Sequence, residues 1–339
     1  MAVVKAEAYG HGLVCVAGVF ADLGAEYLGV SFLEEGVMLR EAGIKIPVLV
    51  MGGLVDEQIV RYLEYNLEIT VSSVYKARQV DAAAMRLNRR AAVQLKIDTG
   101  MGRVGQRWDT SDKLFTEVAR LSHLNVIGIY THLATADEKD VSFARTQLDR
   151  FDEAVEKARS AGLEPLYIHA ANSGAMMQLG KRARYNMVRP GIMLYGYAPS
   201  PHLEGVFDLK PAMTLRTQVV YVKYPPTGTS VGYGSTWRSP GGCWIATLPI
   251  GYGDGYPRRL GNRGWVLLRS RRCPIVGRVS MDQITIDAGP EAYLGDEVIL
   301  FGGRKEQNLP LWALCQDIDA IPYELLCGLT SRVPRVYID

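Results

Sequence analysis

The residues of this chain best suited to chemistry stand at the ends of short apolar runs. Lys5 closes AVVK (2–5), Lys96 and Asp98 close the run that begins at 92, and His132 follows VIGIYT (126–131). His169 lies in LYIHA (166–170) with Asn172 and Ser173 just behind it, and Arg189 closes NMVR (186–189) before Pro190 and Gly191. Two lysines, two histidines and an arginine gathered at strand ends are more than a passive scaffold needs. Lys5 is flanked by Val3, Val4 and Ala6, so its amine is partly desolvated; that lowers its pKa and favours the neutral form that attacks an aldehyde. Tyr9, Gly10, His11 and Gly12 follow as a tight, glycine-rich turn. The plainer alternative is an exposed strand-end lysine on an ordinary turn.

These residues need a scaffold that brings strand ends together. Eight β-prone runs fall at 2–5, 27–32, 47–51, 67–71, 92–97, 126–131, 166–170 and 186–189. Between them, 55–65, 74–87 and 142–161 repeat apolar residues at three-to-four spacing, and Gly43 and Gly162 sit where helices would end. Eight strands alternating with helices over about two hundred residues predict an α/β fold, a (β/α)8 TIM-type barrel, with its site at the C-terminal strand ends. A doubly wound open sheet is the rival, but no G-x-G-x-x-G follows the first strand. After Tyr197 prolines punctuate the chain and helical periodicity stops. The runs 214–223, 244–249, 265–269, 274–279 and 283–287, with short helices near 310–318 and 322–327, predict a mostly β C-terminal domain. The expected domains are 1–204 and 205–339.

Composition narrows the partners. The chain has 339 residues, 48% hydrophobic and 22% charged, with a formal net charge of +2 and both signs interspersed. That leaves no electrostatic footprint for nucleic acid or an anionic membrane surface. The longest apolar stretch, 46–55, is too short to span a bilayer and contains two glycines. Five scattered cysteines without a C-x-x-C pair predict buried free thiols, no metal site and a reducing, cytoplasmic setting.

The string VKAEAYGHG (4–12) resembles the cofactor-lysine motif of the alanine racemase family. IDTGMGRVG (97–105), YTHLATADE (130–138), HAANSGA (169–175), VRPGIMLYG (188–196), VGYG (231–234), PIGYGDGYPRRL (249–260), VGRVSMDQ (276–283) and PYELLC (322–327) follow in the family's order. The resemblance covers nearly the whole chain and implies a fold-type III barrel, a β domain and pyridoxal 5'-phosphate. It implies that Lys5 carries the cofactor and moves a proton on one face of the substrate's Cα, while Tyr233 from a partner subunit serves the other face. A phenol with a pKa of about 10 needs help near neutrality, and His132 and Arg189 are expected to supply a hydrogen-bonded, positive neighbourhood.

The remaining roles rest on the same likeness. Arg189 would face the pyridine nitrogen with His169 behind it. Tyr9, Ser173, Gly191, Ile192 and Tyr323 would bind phosphate, with Asn172 beside them. Arg103 would bind the substrate carboxylate. Lys96 would be carbamylated and hold Arg103, or else be a barrel-interior lysine paired with Asp98. Met281 and Tyr252 would complete the substrate site from the partner chain beside Asp282. Tyr323 read alone is a packed tyrosine at a helix start, and Met281 a core methionine. The implied partners are a small amino acid and a second copy of the chain in a homodimer with shared sites, and the implied use is D-alanine for peptidoglycan.

Departures from the family pattern shape three further expectations. Family members usually carry a few dozen residues before the cofactor lysine, so a strand and helix are expected to be missing here. Glu7 stands where asparagine is commoner. Both ends suit a piece of a longer protein, such as the membrane-fused serine racemases of vancomycin resistance. Serine or broad specificity is therefore the nearest alternative, although serine-preferring relatives tend to carry a smaller polar residue where Tyr323 stands. A non-catalytic, cofactor-binding barrel is the alternative from another class, but such proteins lack the β domain.

Overall fold

The computed structural model describes residues 1–304 and 307–338. They fold as two compact units, Met1–Leu194 with Ala198–Leu209, and Tyr195–Tyr197 with the chain from Lys210 on.

In the first unit the apolar runs pair in parallel. Strands β1 (Ala2–Val3), β2 (Leu28–Val30), β3 (Val48–Val50), β4 (Glu68–Val71), β5 (Ala91–Asp98), β7 (Leu124–Tyr130) and β8 (Tyr167–His169) lie side by side in that order, and the two-residue β6 (Gln106–Arg107) pairs with the end of β5. Helices cover the strands, so β2, β3 and β4 are fully buried; β3 is wholly valine and leucine, while Gly29 in β2 and Glu68 and Thr70 in β4 break the apolar run. Two of the expected helices are present as Val74–Arg86 and Ser142–Ser160. The third is split into a 3-10 turn, Asp56–Gln58, and a helix, Ile59–Glu64.

The expected strand at 186–189 is not a regular strand. Met187 makes one isolated bridge to His169, and Asn186 donates its amide to the Ile168 carbonyl at 3.4 Å. On the other side the Met1 ammonium donates to the Val188 carbonyl at 3.0 Å, and the Val3 amide to the Pro190 carbonyl at 3.1 Å. This segment closes the ring between β8 and β1 without a ladder. Pro190, which has no amide proton, can join such a closure only as an acceptor.

The run 2–5 also ends earlier than expected. β1 stops at Val3, and Ala6, Glu7, Ala8 and Tyr9 form a left-handed turn with φ between 51° and 54°. L-residues resist that conformation by about 1–2 kcal/mol each, so the surroundings must hold it. Glu35 anchors the first of the four: its carboxylate accepts the Ala6 amide (2.6 Å) while also capping its own helix at Ser31 (2.7 Å) and Phe32 (3.1 Å). Glu7 accepts the Leu13 amide at 3.3 Å, where the helix Leu13–Asp22 begins. Lys5 therefore stands just past a strand, at the entry to a strained turn.

The second unit is antiparallel. Tyr221–Lys223, Ile245–Leu248 and Ile284–Asp287 form one sheet. Leu215–Gln218, Glu297–Arg304, Trp265–Leu268, Arg271–Pro274 and Gln307–Leu309 form another, and Ser230–Val231 pairs with Trp237–Arg238. The run expected as one strand at 214–223 breaks at Val219 and Val220 because its halves join different sheets. The run 274–279 is extended only to Pro274; Ile275 adds one bridge to Ile286, and Gly277 turns away at φ 77°. Helices Leu311–Ile318 and Pro322–Gly328 lie close to expectation. Cys15, Cys243, Cys273 and Cys315 are free thiols. Cys243, Cys273 and Cys315 are buried as expected, but Cys15 is half-buried and Cys327 exposed.

The left-handed turn generates a test with two signs. Ala6→Gly should stabilise the protein by about 0.5–1 kcal/mol, because relief of left-handed strain exceeds the extra freedom of the unfolded chain. Ala82→Gly, inside Val74–Arg86, should destabilise it by about 1 kcal/mol. Thermal unfolding of the two variants measures both, and destabilisation by Ala6→Gly would contradict the strained turn.

Candidate active site

At the C-terminal strand ends of the first unit, Arg189 is buried, 3% exposed, among neutral acceptors. One terminal nitrogen, Nη2, donates to the carbonyls of Thr131 (2.7 Å) and Ala170 (3.1 Å) and lies 3.4 Å from His132 Nδ1. The other, Nη1, lies 2.8 Å from His169 Nδ1. A guanidinium has no acceptor, so both imidazole Nδ1 atoms must accept. Burial lowers the Arg189 pKa to about 10, which leaves it a cation at neutral pH.

Burial acts in the same direction on its neighbours. His132 is held well below its ordinary value by desolvation and then by the charges of Lys96, Arg189, Arg103 and Lys5. His169 is lowered by desolvation, then by Arg189 and Lys96. Lys96 is likewise lowered by desolvation and then by Arg189 and Arg103, and its Nζ lies 4.3 Å from the centre of the Tyr130 ring. Tyr130, pushed up to about 12 by burial, stacks on His169 with ring centres 4.9 Å apart. Its hydroxyl donates to Thr70 Oγ1 at 2.7 Å, since Thr70 gives its own proton to the Val50 carbonyl.

The pairing of Lys96 with Asp98 is absent. Asp98 instead accepts the amides of Gly100 (2.9 Å) and Gly102 (3.1 Å), shaping the loop that carries Arg103. Gly105 completes that loop at φ 133°, where a Cβ would lie 2.8 Å from the Asp98 amide nitrogen. Arg103 itself is exposed. Among the described residues, none of Lys96, Arg103 and Arg189 forms an ion pair with a carboxylate.

A second group of expected residues meets beside the closing segment. Ser173 Oγ accepts the Gly191 amide at 3.1 Å, and Asn172 Oδ1 caps the helix Ser173–Gln178 through the Ala175 amide at 2.9 Å. Tyr9 presses its hydroxyl onto Gly191, where a Cβ would come within 2.3 Å of it. Ile192, the next residue, is buried. Lys5 is half-buried.

The other expected residues belong to the second unit. Tyr233 is 71% exposed in the turn Gly232–Ser235; a Cβ at Gly234 would lie 3.0 Å from the Arg278 guanidinium. Tyr252 and Met281 are neighbours, because the Tyr252 amide donates to the Ser280 carbonyl at 3.0 Å and the Gly253 amide to the Met281 carbonyl at 2.9 Å. Met281 is 52% exposed and so is no core methionine. Asp282 pairs with Arg332 at 2.7 Å, and Arg332 reaches Asp254 at 3.3 Å. Tyr323 is half-buried at the start of Pro322–Gly328.

Several supporting residues escaped the sequence analysis: Tyr130, Thr131, Gln94, Glu68, Thr70, Thr99 and Gln147. Gln147, buried on Ser142–Ser160, donates to the His132 carbonyl (3.2 Å) and accepts the Ala134 amide (2.8 Å), pinning the loop after β7. The available signal was polarity inside apolar runs: Glu68 and Thr70 interrupt LEITV, and Gln94 interrupts AVQLKI.

A parallel α/β barrel with a carboxylate-poor cationic mouth, followed by an antiparallel β unit, is the architecture of the chain. Comparison then identifies the family. A family model described as the alanine racemase N-terminal domain matches residues 1–199, and one described as its C-terminal domain matches 212–337. An alanine racemase of Symbiobacterium thermophilum is 44% identical over 339 residues, 99% of this chain and 90% of the relative. The solved alanine racemase of Clostridium difficile 630 superposes with a TM-score of 0.94 at 36% identity, covering 99% of this chain and 88% of that one. The structure from D-cycloserine-producing Streptomyces lavendulae gives 0.95 at 34% identity, covering 100% and 90%. The chain belongs to the alanine racemase family. Matches across both domains disfavour a non-catalytic single-domain barrel.

The buried neutral histidines predict acid sensitivity. His132 and His169 titrate well below 6.5 when folded, so the unfolded chain binds more protons as pH falls below about 6.5. Stability is therefore present above that pH and lost below it, by about 1.4 kcal/mol per pH unit for each proton taken up. Glu68, held above its usual range mainly by burial, works in the opposite sense but cannot cancel both. Denaturant unfolding at pH 7.5, 6.5 and 5.5 should reveal net uptake of at least one proton, and a flat profile would contradict neutral imidazoles.

Proposed function

We propose that this chain is an alanine racemase that interconverts L- and D-alanine with pyridoxal 5'-phosphate held by Lys5. It works in the cytoplasm as a homodimer with shared active sites, supplying D-alanine for peptidoglycan. The observation that carries this reading is Arg189: a permanent donor buried among carbonyls and neutral imidazoles, facing a site without a counter-carboxylate. Such a group suits an unprotonated pyridine nitrogen. Among the described residues, no helix is long and apolar enough to cross a membrane.

The donor chemistry of the barrel mouth fits the cofactor. Ser173, Gly191 and Tyr9 converge as a phosphate cradle, with Ile192 beside them. When bound, the cofactor delocalises the electron pair left on Cα. Arg189, by donating and never accepting, keeps that delocalisation modest and limits protonation elsewhere on the ring.

Inversion needs two protein groups working in opposite senses. In one direction the Lys5 amine takes the Cα proton while the Tyr233 hydroxyl of a second copy gives its proton to the other face. In the reverse direction the tyrosinate takes and the Lys5 ammonium gives. Arg103 binds the substrate carboxylate. Lys96, its pKa lowered chiefly by burial, is the group that loses a proton, adds carbon dioxide and becomes the anion that holds Arg103. Met281 and Tyr252 of the second copy complete the substrate site, with Asp282 held beside them by Arg332.

Borohydride reduction followed by peptide mapping should fix the cofactor on Lys5; fixation on another lysine would undo the assignment. A pocket built for a methyl group should prefer L-alanine over L-serine in kcat/KM by about tenfold to a hundredfold. A serine preference would overturn the choice of substrate.

A further inference from the structure

Behind Arg189 a line of polar side chains crosses the barrel interior from one end to the other. Tyr27 immediately precedes β2, Glu68 opens β4, Gln94 lies midway along β5, and His169 ends β8. The Tyr27 hydroxyl donates to Glu68 Oε1 at 2.8 Å, and Gln94 Nε2 donates to Glu68 Oε2 at 2.6 Å. Gln94 Oε1 lies 2.6 Å from His169 Nε2, and His169 Nδ1 meets Arg189 at 2.8 Å. Glu68 is 7% exposed, and Gln94 and His169 are fully buried. The Arg40 charge acts on Glu68 while its donors are engaged by the carbonyls of Tyr65, Ile44, Ile46 and Asn66.

The order of donors in this line follows from its first acceptor. A carboxylate only accepts, so the Gln94 amide must turn its nitrogen toward Glu68 and its oxygen toward His169. An amide oxygen only accepts, so His169 must carry its proton on Nε2. Nδ1 then holds a lone pair, the form that Arg189 requires. With the opposite tautomer, an N–H would face the guanidinium.

Space for the relay is also built in. A Cβ at Gly128, on β7, would lie 2.9 Å from Gln94 Oε1 and 3.0 Å from the Tyr167 carbonyl oxygen. Gly128 has no left-handed φ among the positive-φ glycines. Its missing side chain leaves room for the Gln94 amide.

We propose that Glu68, at the far end of the barrel from Arg189, is a positioning residue that sets the proton on His169 through Gln94 and thereby orients Arg189. Gln94 and Gly128 belong to the same device. The tautomer is a property of the chain itself; its consequence for turnover rests on the racemase function proposed above.

Nitrogen-15 spectra of histidine-labelled holoenzyme read the tautomer directly. The wild-type His169 ring should carry its proton on Nε2. Glu68→Gln can still accept from Gln94 and should keep it there. Glu68→Leu frees the Gln94 amide to turn, and Gly128→Ala displaces it; both should shift His169 toward an Nδ1 proton or a mixture and lower kcat by about tenfold with little change in KM, the size expected for one misdirected buried hydrogen bond. An Nδ1 proton in the wild type, or an unchanged Nε2 proton in both folded variants, would overturn the proposal. If Glu68→Leu does not fold, the wild type and Gly128→Ala decide it alone. Tautomers that shift as expected in a protein without racemase activity would uphold the relay and defeat the proposed function instead.

Discussion

A guanidinium taken out of water without a counter-anion must find its compensation in neutral acceptors, and the barrel interior is arranged around that demand. An uncompensated buried charge costs several kcal/mol, so the Thr131 and Ala170 carbonyls and the His169 lone pair have to be in place at once. Irregularity at the closing segment serves this. Arg189 lies where β8 and β1 are joined by single hydrogen bonds, not a ladder, and its amide reaches the Ala171 carbonyl at 2.9 Å. Burial, and after it the same charge, suppresses protonation of His132, His169 and Lys96. What results is a mouth rich in donors and short of acceptors, suited to a phosphate, a carboxylate and a ring nitrogen.

The other costly feature is the turn after Lys5. Four consecutive left-handed residues store strain, and Glu35 anchors the first of them by accepting the Ala6 amide while it also caps its own helix at Ser31 and Phe32. The turn reverses the chain within one step, so Tyr9 comes back against Gly191 while Lys5 stays at the strand end. Strained backbone concentrated at a site, anchored by a carboxylate, is a common sign that position matters more than stability there. Glu7, the departure from the family's usual asparagine, is accommodated by accepting the Leu13 amide.

Much of the barrel was legible because parallel strands buried on both faces leave predominantly apolar runs, and because Val74–Arg86 and Ser142–Ser160 are long and amphipathic. The helix Leu13–Asp22 was not, since LVCVAGVFAD is apolar nearly all round and has no stripe to read. The eighth strand was misread as regular because NMVR has strand composition, whereas its pairing is decided by tertiary contacts with Met1 and Val3. The eight-residue strand Glu297–Arg304 went unnoticed because Gly302 and Gly303 look like a turn; both have positive φ, and a Cβ at Gly302 would meet the Met213 carbonyl at 2.3 Å. At the barrel mouth the charged residues announced themselves by type. Their uncharged supports did not: Gln94, Thr70, Thr131 and Gln147 have ordinary identities, and only folding reveals what they hold. Asp98 was legible as a site residue but not as the loop's hydrogen-bond acceptor, because sequence adjacency to Lys96 suggested an ion pair.

The central claim is that Lys5 and Tyr233 serve opposite faces of one carbon. Removing the phenol proton while keeping the ring, as Tyr233→Phe does, separates the two faces. In deuterated buffer this variant should exchange the Cα proton of one alanine enantiomer with retention of configuration, while racemisation falls by about two orders of magnitude or more, the scale of one lost acid–base group. Racemisation of both enantiomers by Tyr233→Phe at the wild-type rate would contradict the two-base account.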